Sequence, residues 1–339
     1  MTDVSVVLAT YNGASFLSRQ LQTLADQTDL PSELIICDDC SIDDTVSIVR
    51  DFAVNAPFPV RLEINERRLN FRHNFFKGVG RAASDLIMFC DQDDAWSPHK
   101  IATMKQVFIA NPKLLLAYHH ATVVDAEERP LRPISEPVKQ QMVLSLDVPP
   151  PWHFARGLLQ TFRRELTHFD DLLPLSREHF SDDILGHDRW YFMLALAQKR
   201  VGFVNSDLVM YRQHGANAFG SDSSPSFWGR VAQRLYHHSE ADRYGAAGAR
   251  SRAAVLSRMI SRVDCQTRPG LEKLAESYST YADRLDRRHR TYTAPSFAGR
   301  IRALGRSLGH GDYCGNPWGF DGRSLARDSL AGVLKLHAG

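Results

Sequence analysis

Cysteine is scarce in this chain: five residues in 339, scattered too widely for a disulfide framework. Long apolar runs are absent. No window approaches the roughly 18 uninterrupted apolar residues of a membrane span. The N-terminus lacks the basic-then-apolar pattern of a secretory signal. There is no internal repeat and no low-complexity tract. Charge of one sign is not in excess either, with a formal net charge of +2. No recognised nucleic-acid-binding motif accompanies the arginines, so nucleic acid is not the expected partner. What remains is ordinary globular material, 43% hydrophobic and 24% charged, long enough for two domains. The expectation is a soluble, cytoplasmic protein. Cys37-Asp-Asp-Cys40 has a redox spacing, but two carboxylates between the thiols raise their pKa, the opposite of what a reactive thiolate needs.

What is present is acid at the ends of apolar runs. Leu86-Ile87-Met88-Phe89-Cys90 reads as a buried strand and leads into Asp91-Gln92-Asp93-Asp94. Three carboxylates there repel one another and cost several kcal/mol to desolvate unless a cation joins them. A divalent metal holding something anionic is the economical explanation. Val4–Leu8 is a second apolar run and ends in Ala9-Thr10-Tyr11-Asn12-Gly13. Leu34–Cys37 is a third and ends in Asp38-Asp39. Val60–Ile64 is a fourth strand candidate. Between them the pattern predicts helices: one with Ser15 as its N-cap, one opening at Asp43, Asp44 and Thr45, and one over Asn74–Ala83. Alternating strands and helices imply an α/β, largely parallel sheet with both acidic clusters on one rim. Open sheets of this kind bind ligands there.

Residues 6–13, 37–45 and 91–96 resemble the motifs of the family 2 glycosyltransferases of GT-A (Rossmann-like) fold. Gly186-His187-Asp188-Arg189-Trp190 and Tyr211-Arg212-Gln213-His214-Gly215-Ala216-Asn217 resemble the bacterial rhamnosyltransferase-like branch. Five motifs in order, over roughly residues 1–220, are far more specific than a lone Asp-x-Asp. The resemblance implies an inverting, metal-dependent transferase. Its donor is a pyrimidine-diphosphate sugar, dTDP-rhamnose first and UDP-sugars second. Its acceptor is a bacterial surface glycan, lipid-linked or oligosaccharide. By resemblance Ala9, Thr10 and Tyr11 line the base pocket, and Asp39 accepts a hydrogen bond from the pyrimidine N–H, which a carboxylate does well. Asp93 is the ligand for Mn²⁺ or Mg²⁺, Asp91 faces the ribose or the metal, and Gln92 belongs to the same nucleotide site. Asn74 contacts the nucleotide or simply opens a helix. His214 joins the metal or is structural. Asp188 is the general base, or a simple helix N-cap. Trp152 and Trp190 stack on a sugar or sit in the core.

Two other classes compete. A nucleotidyltransferase that makes nucleotide sugars needs a Gly-rich, Arg-bearing loop after the first strand, and residues 9–13 hold one glycine and no arginine. A non-catalytic carbohydrate-binding protein would not need Asp39, Asp93, Asp188 and His214 together. The expected domains are a donor half, 1–110, an acceptor and catalytic half, 111–220, and a mainly helical region, 221–339. Asp125–Pro151 reads as a long loop and Asp222–Pro225 as a linker. Helical stripes follow at Phe227, Val231 and Leu235 and at Leu271, Leu274, Tyr278, Tyr281 and Leu285. Residues 221–310 hold 16 Lys+Arg against 8 Asp+Glu. That excess suits a solvated face, a lipid diphosphate acceptor, or peripheral contact with the inner face of the cytoplasmic membrane.

Overall fold

The computed structural model describes residues 2–134, 153–214, 238–314 and 322–334. These form two compact units. The first contains residues 2–134, 153–171 and 186–214, and the second 172–185, 238–314 and 322–334. The segment 172–185 thus groups with the helical unit, although it lies within the stretch 111–220. The linker at 222–225, the stripe Phe227, Val231 and Leu235, and Trp152 lie outside the described residues.

The first unit runs β1 (Val4–Thr10), α1 (Ala14–Ala25), β2 (Glu33–Asp38), α2 (Thr45–Asn55), β3 (Val60–Ile64), α3 (Asn70–Val79) and β4 (Leu86–Asp91). It continues with β5 (Ala95–Trp96), α4 (Lys100–Ala110), β6 (Leu116–Val124), β7 (Pro130–Pro133), β8 (Gln160–Arg163), α5 (His187–Ala197) and β9 (Val201–Arg212). One sheet has the order β3-β2-β1-β4-β8-β6-β9-β5, with β7 on β6. Its first four strands are parallel, as the alternating sequence implies. Beyond β4 the sheet is mixed. β8 is antiparallel to both β4 and β6, β6 and β9 are parallel, and β5 returns antiparallel to β9. β1, β2 and β4 are buried almost throughout, which is why they read as continuous apolar runs. Each fully buried Val, Leu or Ile contributes roughly 1.5–3 kcal/mol. α3 packs on β1 and β2, and α4 and α5 pack on β6.

Two helix starts differ from the local pattern, for one reason. α1 opens at Gly13 rather than Ser15 because its donors are met by a distant loop. Gly13 N–H donates to Thr45 Oγ1 at 2.8 Å and Ala14 N–H to Asp43 Oδ2 at 3.1 Å. α3 starts at Asn70, not Asn74, because the Asp39 carboxylate accepts Leu69 N–H at 2.6 Å and Asn70 N–H at 2.9 Å. It ends at Val79 with Gly80 as its C-cap, short of Ala83. The stretch expected as a loop from Asp125 contains β7, an exposed edge strand with proline at both ends. Residues 135–152 lie outside the described residues.

The second unit contains α6 (His238–Met259), α7 (Arg268–Thr293), α8 (Phe297–Gly309) and α9 (Gly322–Arg327). The stripe Leu271, Leu274, Tyr278, Tyr281 and Leu285 is buried along α7. Ala246 and Ala249 of α6 pack against Tyr281, Ala282 and Leu285. A buried ionic knot sits at the end of α7. Asp328 accepts from Arg288 Nε at 2.5 Å, Arg288 Nη2 at 2.9 Å and the hydroxyls of Tyr292 at 2.5 Å and Tyr313 at 2.7 Å. Asp242 meets the same guanidinium at 3.2 Å. No helix among the described residues is long and apolar enough to cross a membrane.

Candidate active site

Parallel pairing aligns the C-terminal ends of β1, β2 and β4 on one edge, with Thr10 opposite Asp38 and Ala9 opposite Asp91. The loops beyond these strands are tied together. Gln92 exchanges both amide hydrogen bonds with the Tyr11 backbone: Tyr11 N–H donates to Oε1 at 2.9 Å, and Nε2 donates to Tyr11 O at 3.0 Å. A Cβ at Gly13 would lie 2.2 Å from Gln92 Oε1, so a larger residue there would displace the Gln92 amide that pairs with the Tyr11 backbone. Asn12 takes a left-handed φ of 46° and accepts Ile42 N–H at 2.9 Å.

The residues expected around a base divide into two layers. Tyr11 is half-buried at the rim, with the Arg68 guanidinium 3.8 Å over its ring. Ala9 is half-buried beside it. Asp39 is buried and holds the loop 65–70 through Asn65 Nδ2, Leu69 N–H and Asn70 N–H. Three accepted bonds leave its carboxylate about one further lone-pair position. Thr10 and Asn74 lie beneath. The Thr10 hydroxyl donates to Asp38 at 2.9 Å, and Asn74 donates to Cys37 O at 2.6 Å and accepts from Asn65 at 2.9 Å. Cys37 is buried with its thiol pushed up to about 11 by burial first and Glu63 second, which suits packing and not redox chemistry.

The acidic run is folded back by β5. Ala95 pairs with Met210 and Trp96 with Val209, so the end of β9 returns to the acids. Arg212 N–H donates to Asp94 Oδ1 at 3.0 Å and Arg212 Nε to the Asp93 carbonyl at 2.8 Å. His214 Nε2 then meets Asp93 Oδ2 at 3.0 Å, while its ring packs 4.5 Å from Phe16. Arg212 is itself held by Glu128 at 2.8 Å, which also pairs with Arg19 at 2.8 Å. The two guanidiniums hold the Glu128 carboxyl at about 2.

Asp188 sits in the first turn of α5, where the helix dipole favours an acid, and its Oδ1 accepts Arg189 N–H at 2.8 Å. α5 is anchored from behind. Trp190 Nε1 and Tyr191 OH donate to the two oxygens of Asp170 at 2.8 and 2.7 Å. Trp190 is fully buried, so it is core and not a sugar platform. His187 stacks on Phe75 at 4.0 Å, and burial first and Arg72 second depress its pKa to about 3. It is a neutral packing residue.

The electrostatics join the acids. The Asp91 carboxyl is pushed up to about 7 by burial, then by Asp93, then by Asp188. Asp93 is raised by burial, offset in part by His214, and Asp94 is raised by burial and by its two neighbours. Lys100, fully buried, donates to Leu158 O at 2.7 Å with its ammonium 3.6 Å over Trp96. Sequence reading missed Lys100, Arg68 and Glu128. Lys100 looks like any surface lysine of an amphipathic helix, and the other two act only through contacts with distant residues.

Among the described residues no group of three or more His, Cys, Asp and Glu side chains is disposed to hold a metal ion. Asp93 and His214 do offer one oxygen and one nitrogen donor facing each other, a pair suited to a divalent ion such as Mn²⁺. The upward shifts at Asp91, Asp93 and Asp94 mark crowded carboxylates that a cation would relieve. The chain therefore fits part of a coordination sphere, with oxygens from outside the chain needed to complete it.

With this geometry, similarity to known proteins is informative. Residues 5–168 match Glycosyl transferase family 2. An uncharacterized glycosyltransferase of Nostoc sp. is 24% identical over 225 residues, 65% of this chain and 68% of that protein. The dTDP-rhamnosyl transferase RfbG of Shigella flexneri is 24% identical over 232 residues, 64% of this chain and 75% of that protein. Among solved structures, S. aureus TarS 1–349 in complex with UDP-GlcNAc aligns with a TM-score of 0.51 at 16% identity, covering 92% of this chain and 93% of that one. That likeness concerns the fold. It agrees with the GT-A arrangement expected from the motifs, with a helical region after it.

Proposed function

Since the chain carries a family 2 glycosyltransferase domain over residues 5–168, we propose that it moves a sugar, rhamnose first, from a pyrimidine-diphosphate donor to a hydroxyl of a surface glycan, with inversion. The observation that carries this reading is the placement of Asp91 at the end of β4, with Asp93 just beyond it meeting His214 at 3.0 Å and Asp188 in the first turn of α5 close enough to act on the Asp91 carboxyl. Similarity to a dTDP-rhamnosyl transferase supports the donor.

Tyr11, Ala9 and Asp39 face the base, with Gln92, Thr10 and Asn74 fixing the loops that carry them. Asp93 and His214, with Asp91 beside them, would hold the divalent ion. When bound, that ion supplies positive charge to the leaving diphosphate. Asp188 takes the proton of the acceptor hydroxyl as its oxygen bonds to the anomeric carbon and the bond to the diphosphate breaks. The products are a glycoside, with inverted configuration, and a nucleoside diphosphate. Asp188 lies in the first turn of α5, where the helix dipole favours a carboxylate. The domain division 1–110, 111–220 and 221–339 belongs to the same reading, as does a cytoplasmic protein in peripheral contact with a membrane that presents a lipid-linked acceptor.

The test is a panel of dTDP- and UDP-sugars assayed for protein stabilisation with Mn²⁺. A ligand at one hundred times its Kd stabilises by about 2.7 kcal/mol. A pyrimidine-diphosphate sugar should raise the melting temperature, dTDP-rhamnose most. No response to any of them, with a purine nucleotide sugar active instead, overturns the donor assignment.

A further inference from the structure

We infer that α8, with the arginine-lined cleft beside it, is a docking surface for an anionic phospholipid bilayer. This rests on the peripheral membrane contact proposed above and names the element that makes it. Phe297, Ile301 and Leu308 of α8 are 52%, 49% and 48% exposed. At about 100° per residue they share one narrow stripe with half-buried Leu304. Apolar residues at i, i+4, i+7 and i+11 ordinarily face a core. Here the helix meets its own unit through another face, where Ser307 is buried and Arg300 Nε donates to Val333 O at 2.9 Å.

The second observation is charge. α8 carries Arg300, Arg302 and Arg306 and no acid. Arg302 and Arg306 join Arg287 and Arg290 of α7 around a cleft of about 420 Å³. Arg287 is held by Asp312 at 2.7 and 2.8 Å. Among the described residues Arg290, Arg302 and Arg306 form no ion pair with an acid, and all three are exposed. Guanidinium forks match phosphate oxygens bidentately. On the helix Arg302 and Arg306 lie on the face opposite the stripe, the arrangement of an amphipathic helix that rests in a bilayer interface with its apolar side inward and its arginines toward the phosphate headgroups. Nucleic acid would satisfy the arginines but not the stripe. The helix has 13 residues, about 20 Å, enough to lie in a bilayer interface.

The test uses the full chain in co-sedimentation with phosphatidylcholine vesicles and with vesicles containing one quarter phosphatidylglycerol. The wild type should pellet with the second and not the first, and high salt should weaken binding. Each basic residue at an anionic surface strengthens binding roughly fivefold. Arg302→Glu with Arg306→Glu should therefore lower partitioning by about 25-fold or more. Ile301→Asp should lower it at least tenfold with every arginine intact, since an apolar contact is lost. Circular dichroism melts confirm that both variants fold, and nucleotide-sugar titration should be unchanged in both. Equal binding to both vesicle types, variants that bind as the wild type does, or tighter binding to duplex DNA than to anionic vesicles each overturn the docking surface. Those results leave the transferase reading standing if nucleotide-sugar binding persists, whereas loss of nucleotide-sugar binding in the wild type refutes that reading instead.

Discussion

Asp170→Asn offers a quantitative check on how the start of α5, which carries Asp188, is held. Asp170 binds Trp190 and Tyr191, two and three residues beyond Asp188. Burial raises its carboxyl to about 6, an effect that the two donors only partly offset. Its folded pKa lies above the unfolded value of about 3.9, so the folded state binds the extra proton and stability falls as pH rises through that window. The loss begins near pH 4 and is complete above about pH 7. Between pH 5 and pH 8 the two-state expression gives a loss of about 1.4 kcal/mol from this residue alone. Asparagine does not titrate, so it lacks that slope. Urea unfolding followed by tryptophan fluorescence gives both stabilities at each pH, with Trp96 and Trp190 reporting on the first unit. The difference, wild type minus variant, should fall by about 1.4 kcal/mol from pH 5 to pH 8. Other titrating groups cancel in that difference. A difference constant with pH would falsify the claim that Asp170 is buried against α5.

Further expectations concern the knot, the loops and the metal. Asp328→Ala removes the acceptor of Arg288, Tyr292 and Tyr313 and leaves a buried guanidinium; it should cost about 3–5 kcal/mol in a thermal melt of the helical unit, and a loss under 1 kcal/mol contradicts that role. Gly13→Ala forces Gln92 off the Tyr11 backbone, an overpacking cost of about 1–3 kcal/mol. It should weaken nucleotide binding by calorimetry, and unchanged affinity would show that this loop pairing does not shape the donor site. His214→Ala should reduce Mn²⁺-dependent donor binding while metal-independent nucleotide affinity stays the same; equal loss with and without Mn²⁺ returns His214 to a structural role.

The strand cores were legible because β1, β2 and β4 are buried on both faces, so their sequences are continuous apolar runs. The position of the acids followed, since parallel strands align their ends. Helix starts were less legible. Asp39 caps α3 from thirty residues away, and Asp43 and Thr45 satisfy the start of α1, so neither boundary has a local signal. The mixed half of the sheet was harder still. β8 has four residues and β5 two, too few to show a period. Yet β5 is what brings Arg212 and His214 to Asp93. His214 was picked out by its motif, whereas the pairing that delivers it is visible only in three dimensions. Lys100 went unnoticed because nothing in its neighbours marks a lysine beneath Trp96.

The central claim is tested most directly by single-turnover transfer from dTDP-rhamnose in Mn²⁺, comparing the wild type with Asp188→Asn and Asp93→Ala. A general base contributes about two to four powers of ten in rate. Asp188→Asn should therefore slow transfer by that factor with donor affinity nearly unchanged. Asp93→Ala should lose metal-dependent donor binding and remain folded, and chelator should reproduce its effect on the wild type. Transfer by Asp93→Ala at the wild-type rate, or an Asp188→Asn protein that keeps turnover but loses nucleotide affinity, contradicts the assignment of base and metal site.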